Sequence, residues 1–373
     1  MKTFMRTLLV VVTTLALSPA GLRISGGVRP TPATVPRQGD VEAEKYLQEF
    51  ASIGPIDTHA HVFKNDSIFV NMLKTLHLHL LDILVLNDAE PYMKALEPQR
   101  RDAQAVVNGS ERHVMLCTTF DPYQFARPDF DEGAIQQLNA DFARGAVAVK
   151  IWKNVGMEIR RPDGRFVMPD DHVFEPIYRD ISAHNRTLVA HLAEPDSCWQ
   201  PPNPDSPDYS YYKQHPEWHM YKHPDHPSKA AILAARDHIL AMNPKLRVVG
   251  AHLGSMETDV DQIAERFEKY PNFAVDTAAR VVYLMRQPRD KVRAFLIKYQ
   301  DRVLYGTDAN FGLGTSGGVL NEWRAMYARD WRFFASDDTF QVEGHTVHGL
   351  GLPRDSSGKS TRRLGSGVPE RGV

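Results

Sequence analysis

The stretch PIDTHAHVF, residues 55–63, places two imidazoles, His59 and His61, one residue apart. Side chains alternate along a strand, so residues i and i+2 share a face. A His-x-His pair of this kind supplies part of a metal site and needs partners from elsewhere. The chain offers them in TLVAHLAE (His191), RVVGAHLG (His252) and RVLYGTDA (Asp308). Neutral imidazole and carboxylate suit Zn2+, with Mn2+, Fe2+ and Co2+ as alternatives, and either one or two ions fit the donor types. Any one of these histidines alone has an ordinary core or surface role. The joint placement of all five residues at the ends of apolar runs is what points to a metal.

Those runs recur eight times: GPIDTHAH, LLDILVLND, HVMLCTTFD, AVAVKIWK, TLVAHLAE, RVVGAHLG, FAVDTAAR and RVLYGTDA. Between them lie stretches with apolar residues at three- and four-residue spacing, such as DEGAIQQLNADFARG and SKAAILAARDHILAMNP. Strand alternating with helix predicts an α/β fold, a (β/α)8 TIM barrel. An open doubly wound sheet is the runner-up, but no Gly-rich phosphate turn follows the first strand. In a barrel, chemistry gathers at the carboxyl ends of the strands. Alternation in AVAVKIW sets Ala146, Ala148 and Lys150 on the inner face and Val147, Val149 and Ile151 on the outer one. By the same rule His252 shares a face with Gly250, and Asp308 with Gly306. Asp276 and Arg280 end the seventh run, where they could pair with each other or meet an anionic substrate. His77 and His79 precede their apolar run, which places them at the amino end of the second strand, away from any metal.

The motifs DTHAH, AHLAEP, GAHLGS and LYGTDA, in this order and at these strand ends, resemble the amidohydrolase superfamily, specifically the amidohydrolase 2 branch. The likeness runs from about residue 53 to about 350. It implies a distorted TIM barrel that binds a metal and performs hydrolysis or, in some members, non-oxidative decarboxylation. Carried over, His59, His61 and His191 hold the metal. Asp308 binds the metal or its water and accepts a proton. His252 hydrogen-bonds the substrate or water in mononuclear members and is a ligand in binuclear ones. Lys150 is either a carboxylated bridge between two ions or a group that binds a substrate carboxylate. Trp152 and Lys153 follow it toward the same mouth. The resemblance also implies a small-molecule substrate and allows a homodimer.

The segment 194–227 is long, rich in proline and aromatics, and follows the fifth run, which is where a lid would sit. Trp218, Tyr211 and Tyr212 within it could stack on a substrate ring. His215, His219, His223 and His226 crowd there and motivate a second class of function, a non-catalytic metal-binding protein of the cell envelope. Of 373 residues, 44 are basic and 46 acidic, a net charge of −2 that gives no footprint for a nucleic-acid partner. Residues 1–20 read as an export signal cut after Ala20, which implies a secreted or periplasmic protein with no membrane span once mature. Residues 21–40 read as a tether and 41–350 as the barrel. Residues 351–373, almost without large apolar side chains, read as a disordered tail. Cys117 and Cys198 are not expected to pair.

Overall fold

The computed structural model describes residues 38–312 and 318–353. The expected export signal, the tether up to residue 37 and the tail from 354 onward lie outside the described residues. Within the tether, residues from Gln38 instead open a helix, Gln38–Ser52. At the other end, 351–353 continue the folded body: the amides of Gly351 and Leu352 donate to the carbonyls of Ser336 and Phe334.

The fold is α/β, built on one curled sheet of nine parallel strands. These are β1 (Ile56–Val62), β2 (His79–Ile83), β3 (Val114–Thr119), β4 (Ala148–Ile151), β5 (Thr187–Ala190), β6 (Arg247–Gly250), β7 (Phe273–Asp276), β8 (Val303–Leu304) and β9 (Ala309–Phe311), in the order 8-7-6-5-4-3-2-1-9. The eighth apolar run therefore yields two short strands rather than one, separated by Tyr305–Asp308. That interval is still bonded on both sides. The Thr58 amide donates to the Tyr305 carbonyl at 2.8 Å and the Asp308 amide to the His59 carbonyl at 2.7 Å, while Thr277 and Ala279 donate to Leu304 and Thr307 at 3.0 and 3.1 Å. The interruption exists because Asp308 has φ = 65°, a left-handed conformation that no strand can contain.

Helices fall where the apolar spacing put them. Phe130–Ala143, Lys229–Met242, Val260–Lys269 and Arg289–Lys298 follow strands β3, β5, β6 and β7, and Ser228 and Asp259 cap two of them through their side chains. The main apolar core includes the outward residues Val149 and Ile151. A second, small cluster of Leu81, Ile83, Cys117, Ala148, Val189 and Ala251 comes from β2 to β5 and the residue after β6, as the concave side of a curled sheet requires. Ala148 thus lies on the face expected for Lys150, whereas Ala146 joins the main core and Val147 packs against the inner cluster, opposite to expectation, because both precede β4. A last helix, Val319–Ala335, packs on Gln38–Ser52, with the Phe50 and Tyr327 rings stacked 5.0 Å apart. Cys117 and Cys198 are both free thiols. Among the described residues no helix is long and apolar enough to cross a membrane.

Asp82 in β2 carries a measurable signature. Its Oδ1 accepts from the Val62 amide at 2.9 Å, but its Oδ2 is buried without a partner. Burial pushes its carboxyl from 3.8 up to about 7. At this site the folded state therefore binds a proton that the unfolded chain has already released, so the Asp82 contribution to stability falls as pH rises from about 4 to about 7. Asp82→Asn keeps the acceptor and removes the charge. Urea unfolding of chelator-treated protein should show the variant more stable than wild type at pH 8, by up to roughly 4 kcal/mol, and nearly equal at pH 4. A difference between variant and wild type that does not grow from pH 4 to pH 8 would contradict this assignment.

Candidate metal centre and its cavity

β1 ends with His59 and His61 side by side, both aimed at Asp308. His61 Nε2 and His59 Nε2 lie 3.2 and 3.5 Å from Asp308 Oδ1. The three donor atoms stand within 4.8 Å of one another, the one such group of three or more among the described residues. The opposite nitrogen of each imidazole is held. His59 Nδ1 faces Asp276 Oδ2 at 2.8 Å, and His61 Nδ1 donates to the Ile83 carbonyl at 2.7 Å. Such outer contacts fix ring and tautomer so that Nε2 presents a lone pair inward. Gly306 permits this approach, because a Cβ there would come within 2.9 Å of the His59 Cβ.

His252 arrives differently from expectation. It lies past the end of β6 in a left-handed turn, with φ = 59°, so strand alternation with Gly250 does not set its direction. The Asp276 Oδ1 carboxylate takes its amide at 2.8 Å and the Ala278 carbonyl takes its Nδ1 proton at 2.9 Å. Its Nε2 then accepts from His191 Nδ1 at 3.1 Å. This chain of donors leaves His191 Nε2 as a bare acceptor. That atom is buried without a hydrogen-bond partner, with Glu194 Oε1, another acceptor, 3.7 Å away. A cation would satisfy both. His191 stands outside the tight group of three; its ring packs on His252, and His252 packs on His59.

The charge states suit a divalent ion, which needs neutral imidazoles and ionised carboxylates. Burial, with Lys150 nearby, lowers the pKa of His59. Burial takes His191 down to about 3, and burial with His191 beside it holds His252 well below its usual value. Burial opposes ionisation of Asp308, but His252, His61 and His59 outweigh it and hold that carboxyl well below the ordinary range. Lys150 is fully buried, its Nζ 3.2 Å from His59 Nε2, and burial lowers its pKa.

Above this floor opens a cavity of about 850 Å³, lined by His61, Lys150, Trp152, His191, His252 and Asp308 among others. Segment 194–227 forms one wall. It is more ordered than its composition suggests, with short helices at Asp196–Trp199, Tyr209–Gln214, Pro216–Trp218 and Met220–Lys222. Trp218 is buried in that wall, edge-on to Trp152 at 5.2 Å. Arg280 does not pair with Asp276. It faces Glu194 and Asp208 at 3.9 and 3.7 Å, and Tyr283 and Ser197 also donate to Asp208. The histidines of 194–227 do not gather into one group: His215 faces Glu217, His219 Nε2 donates to the Gln200 carbonyl, and His223 and His226, whose rings lie 4.9 Å apart, face Pro216 and Asp225. A metal-scavenging loop finds no support in that arrangement. His79 begins β2 and stacks on His113, remote in the strand from the carboxyl end.

Asp57, Glu194 and Asp208 are buried polar residues of this region that the spacing of histidines did not single out. Asp57 and Glu194 carried a signal, a carboxylate two residues before His59 and three after His191; Asp208 had none.

No curated protein matches the chain. Among solved structures, a 2,6-dihydroxybenzoate decarboxylase from Rhizobium is similar at 13% identity over 83% of this chain and 98% of its own, with a TM-score of 0.42. A dihydroorotase from Campylobacter jejuni is similar at 11% over 80% and 93%, TM-score 0.40. A 4-oxalomesaconate hydratase from Rhodopseudomonas palustris is similar at 13% over 70% and 84%, TM-score 0.43. Likeness at this level assigns no reaction. The Amidohydro_2 family model, described as amidohydrolase, matches residues 56–311, from the first residue of β1 to the last of β9. A match over that much of the chain, enclosing every residue of the candidate centre, shows that the protein belongs to this family of metal-dependent amidohydrolase enzymes.

Proposed function

We propose that the protein is an exported hydrolase of uncharged esters, lactones or amides, working with one Zn2+ ion. In this reading Tyr305–Asp308 bridges β8 and β9 as a single interrupted eighth strand, closing the sheet into the (β/α)8 barrel. His59, His61 and Asp308 would hold the ion, with the bare Nε2 of His191 as a further candidate donor. A divalent ion in such a site polarises a carbonyl and lowers the pKa of water from near 16 to about 7. Asp308 takes the water's proton and delivers it to the leaving group. His252, fixed by Asp276 and Ala278, accepts from His191 Nδ1 and so holds the His191 tautomer that leaves Nε2 free for the ion. Asp276 keeps His59 in the ligating tautomer.

The observation that carries the choice of substrate is the pairing of cations in the cavity wall. Lys153 is bound to Glu194, Arg280 faces Asp208 and Glu194, and Arg329 donates to Asp330 at 2.8 Å. Lys150 alone among the described lining cations has no carboxylate at ion-pair distance, and burial disfavours its charged form. A substrate carboxylate would find paired cations and meet Glu194 and Asp208 instead, at a cost in repulsion. A neutral carbonyl compound meets no such barrier.

The test combines elemental analysis with a reaction in ¹⁸O water. Wild type should hold one ion per chain, His59→Ala should lose it, and a panel of uncharged lactones, esters and amides should take up label. Release of CO2 from aromatic acids without label would replace hydrolysis by decarboxylation. Two ions per chain would make Lys150 a bridge. Export is checked separately by the mass of the secreted protein, which should begin at Gly21.

A further inference from the structure

Segment 194–227 carries a hydroxyl whose proton no described residue takes. Tyr211 lies on the helix Tyr209–Gln214 and lines the same cavity as His61 and Asp308. Lys153 Nζ donates to the Tyr211 oxygen at 2.8 Å. Lys153 is itself immobilised. It is bound to Glu194 and sits 4.4 Å from the ring centre of Trp218 and 5.3 Å from that of Trp152. An ammonium donates and cannot accept, so the phenol must send its own proton elsewhere. Among the described residues none accepts it, and the side chain remains 39% exposed on the cavity side of the lid.

We propose that Tyr211 is a catalytic residue that touches the substrate. Its O–H donates to the reacting carbonyl oxygen, with Lys153 occupying the phenol lone pair and so aiming the proton into the cavity. The inference rests on the hydrolytic reading above and names the donor that reading lacks on the lid side. The bond strengthens as negative charge develops on that oxygen, which is the condition for lowering a barrier rather than only binding. The protonation states agree. Burial raises the Tyr211 pKa against the pull of Lys153, with Asp308 near enough to add to the rise. Burial disfavours the Lys153 ammonium, but Glu194 and Tyr211 outweigh it and raise its pKa. The pair is therefore phenol and ammonium at neutral pH.

Tyr211→Phe keeps the ring over Lys153 and removes only the hydroxyl. With dihydrocoumarin and 4-nitrophenyl acetate as probes, the metal-loaded variant should lose about 10²-fold in kcat, with KM, metal per chain and melting temperature unchanged. Benzohydroxamate, a carbonyl-bearing anion that requires no turnover, should bind roughly tenfold more weakly. A variant that keeps kcat within about twofold and binds benzohydroxamate as wild type does overturns the proposal. Wild-type enzyme that releases CO2 from aromatic acids and leaves both probes intact overturns the hydrolytic reading instead. In that case the benzohydroxamate comparison still decides Tyr211.

Discussion

Asp308→Asn is expected to lower kcat by about 10²- to 10⁴-fold, the range spanned by loss of a positioned proton acceptor. The substitution is close to isosteric and retains one carbonyl oxygen that can face His59 and His61. What disappears is the charge and the basicity. Both matter at this position. Asp308 Oδ1 is the point on which the two Nε2 atoms converge, and the three neighbouring imidazoles keep the partly buried carboxyl ionised. The left-handed backbone at Asp308 is a strained conformation for a residue with a Cβ, and asparagine tolerates it as well as aspartate does. The variant should therefore fold. Elemental analysis at saturating metal separates the two roles. If the ion is retained while kcat collapses, proton transfer is the lost function. If the ion is lost as well, the carboxylate is a ligand first. Near wild-type kcat in Asp308→Asn would remove Asp308 from the chemistry altogether.

The same backbone feature explains what the residue pattern could and could not reveal. The alternation of AVAVKIW carries real information, because Ala148 and Lys150 occupy an ordinary strand in which period two holds. The order of strands follows from apolar runs alternating with helical ones, since each βα unit can return to the sheet in only a few ways. Period two fails at His252 and Asp308. Both lie in turns with positive φ that only the surrounding hydrogen bonds impose, and a chain reading has no access to those bonds. The split of the eighth strand has the same origin. Arg280 and Asp276 share a motif but face different partners, because Asp276 is drawn to His59 and His252 while Arg280 reaches Asp208 in the segment 194–227. Local spacing cannot say which distant carboxylate a guanidinium will meet. The order inside 194–227 was hidden for a related reason. Its helices are each only a turn or so long, too short for an apolar period to register, and they are held by buried anchors such as Tyr212, Trp218 and Met220.

Asp57→Asn is expected to destabilise the protein by about 3–5 kcal/mol, the largest effect on folding anticipated for a single polar substitution near the centre. The fully buried Asp57 carboxylate accepts four hydrogen bonds and donates none. Oδ1 receives the amides of His59 and Thr307, both at 3.1 Å; Oδ2 receives the Thr307 hydroxyl at 2.6 Å and the Tyr327 hydroxyl at 2.9 Å. These bonds tie β1 to the interrupted strand and to the helix Val319–Ala335, the three elements that meet behind the metal group. Four donors aimed at one carboxylate match its lone pairs; an amide matches only half of them. With its oxygen toward the two amides, the carboxamide's NH2 meets the Thr307 and Tyr327 hydroxyls, which can accept from it but must then send their own protons elsewhere, and each buried donor left unpaired costs about 1–3 kcal/mol. Tyr327→Phe removes one donor and leaves the carboxylate with three, so a loss of about 1.5 kcal/mol or less should follow. The comparison also reads function, because Thr307 sets the backbone of Asp308. Metal affinity in Asp57→Asn should fall by about 10- to 100-fold, as for other changes just outside a ligand sphere, while Tyr327→Phe should leave it nearly intact. Denaturant unfolding and metal titration of both variants check this. Equal stability losses in the two would show that Asp57 acts through Tyr327 alone and not as the clamp between β1 and Thr307.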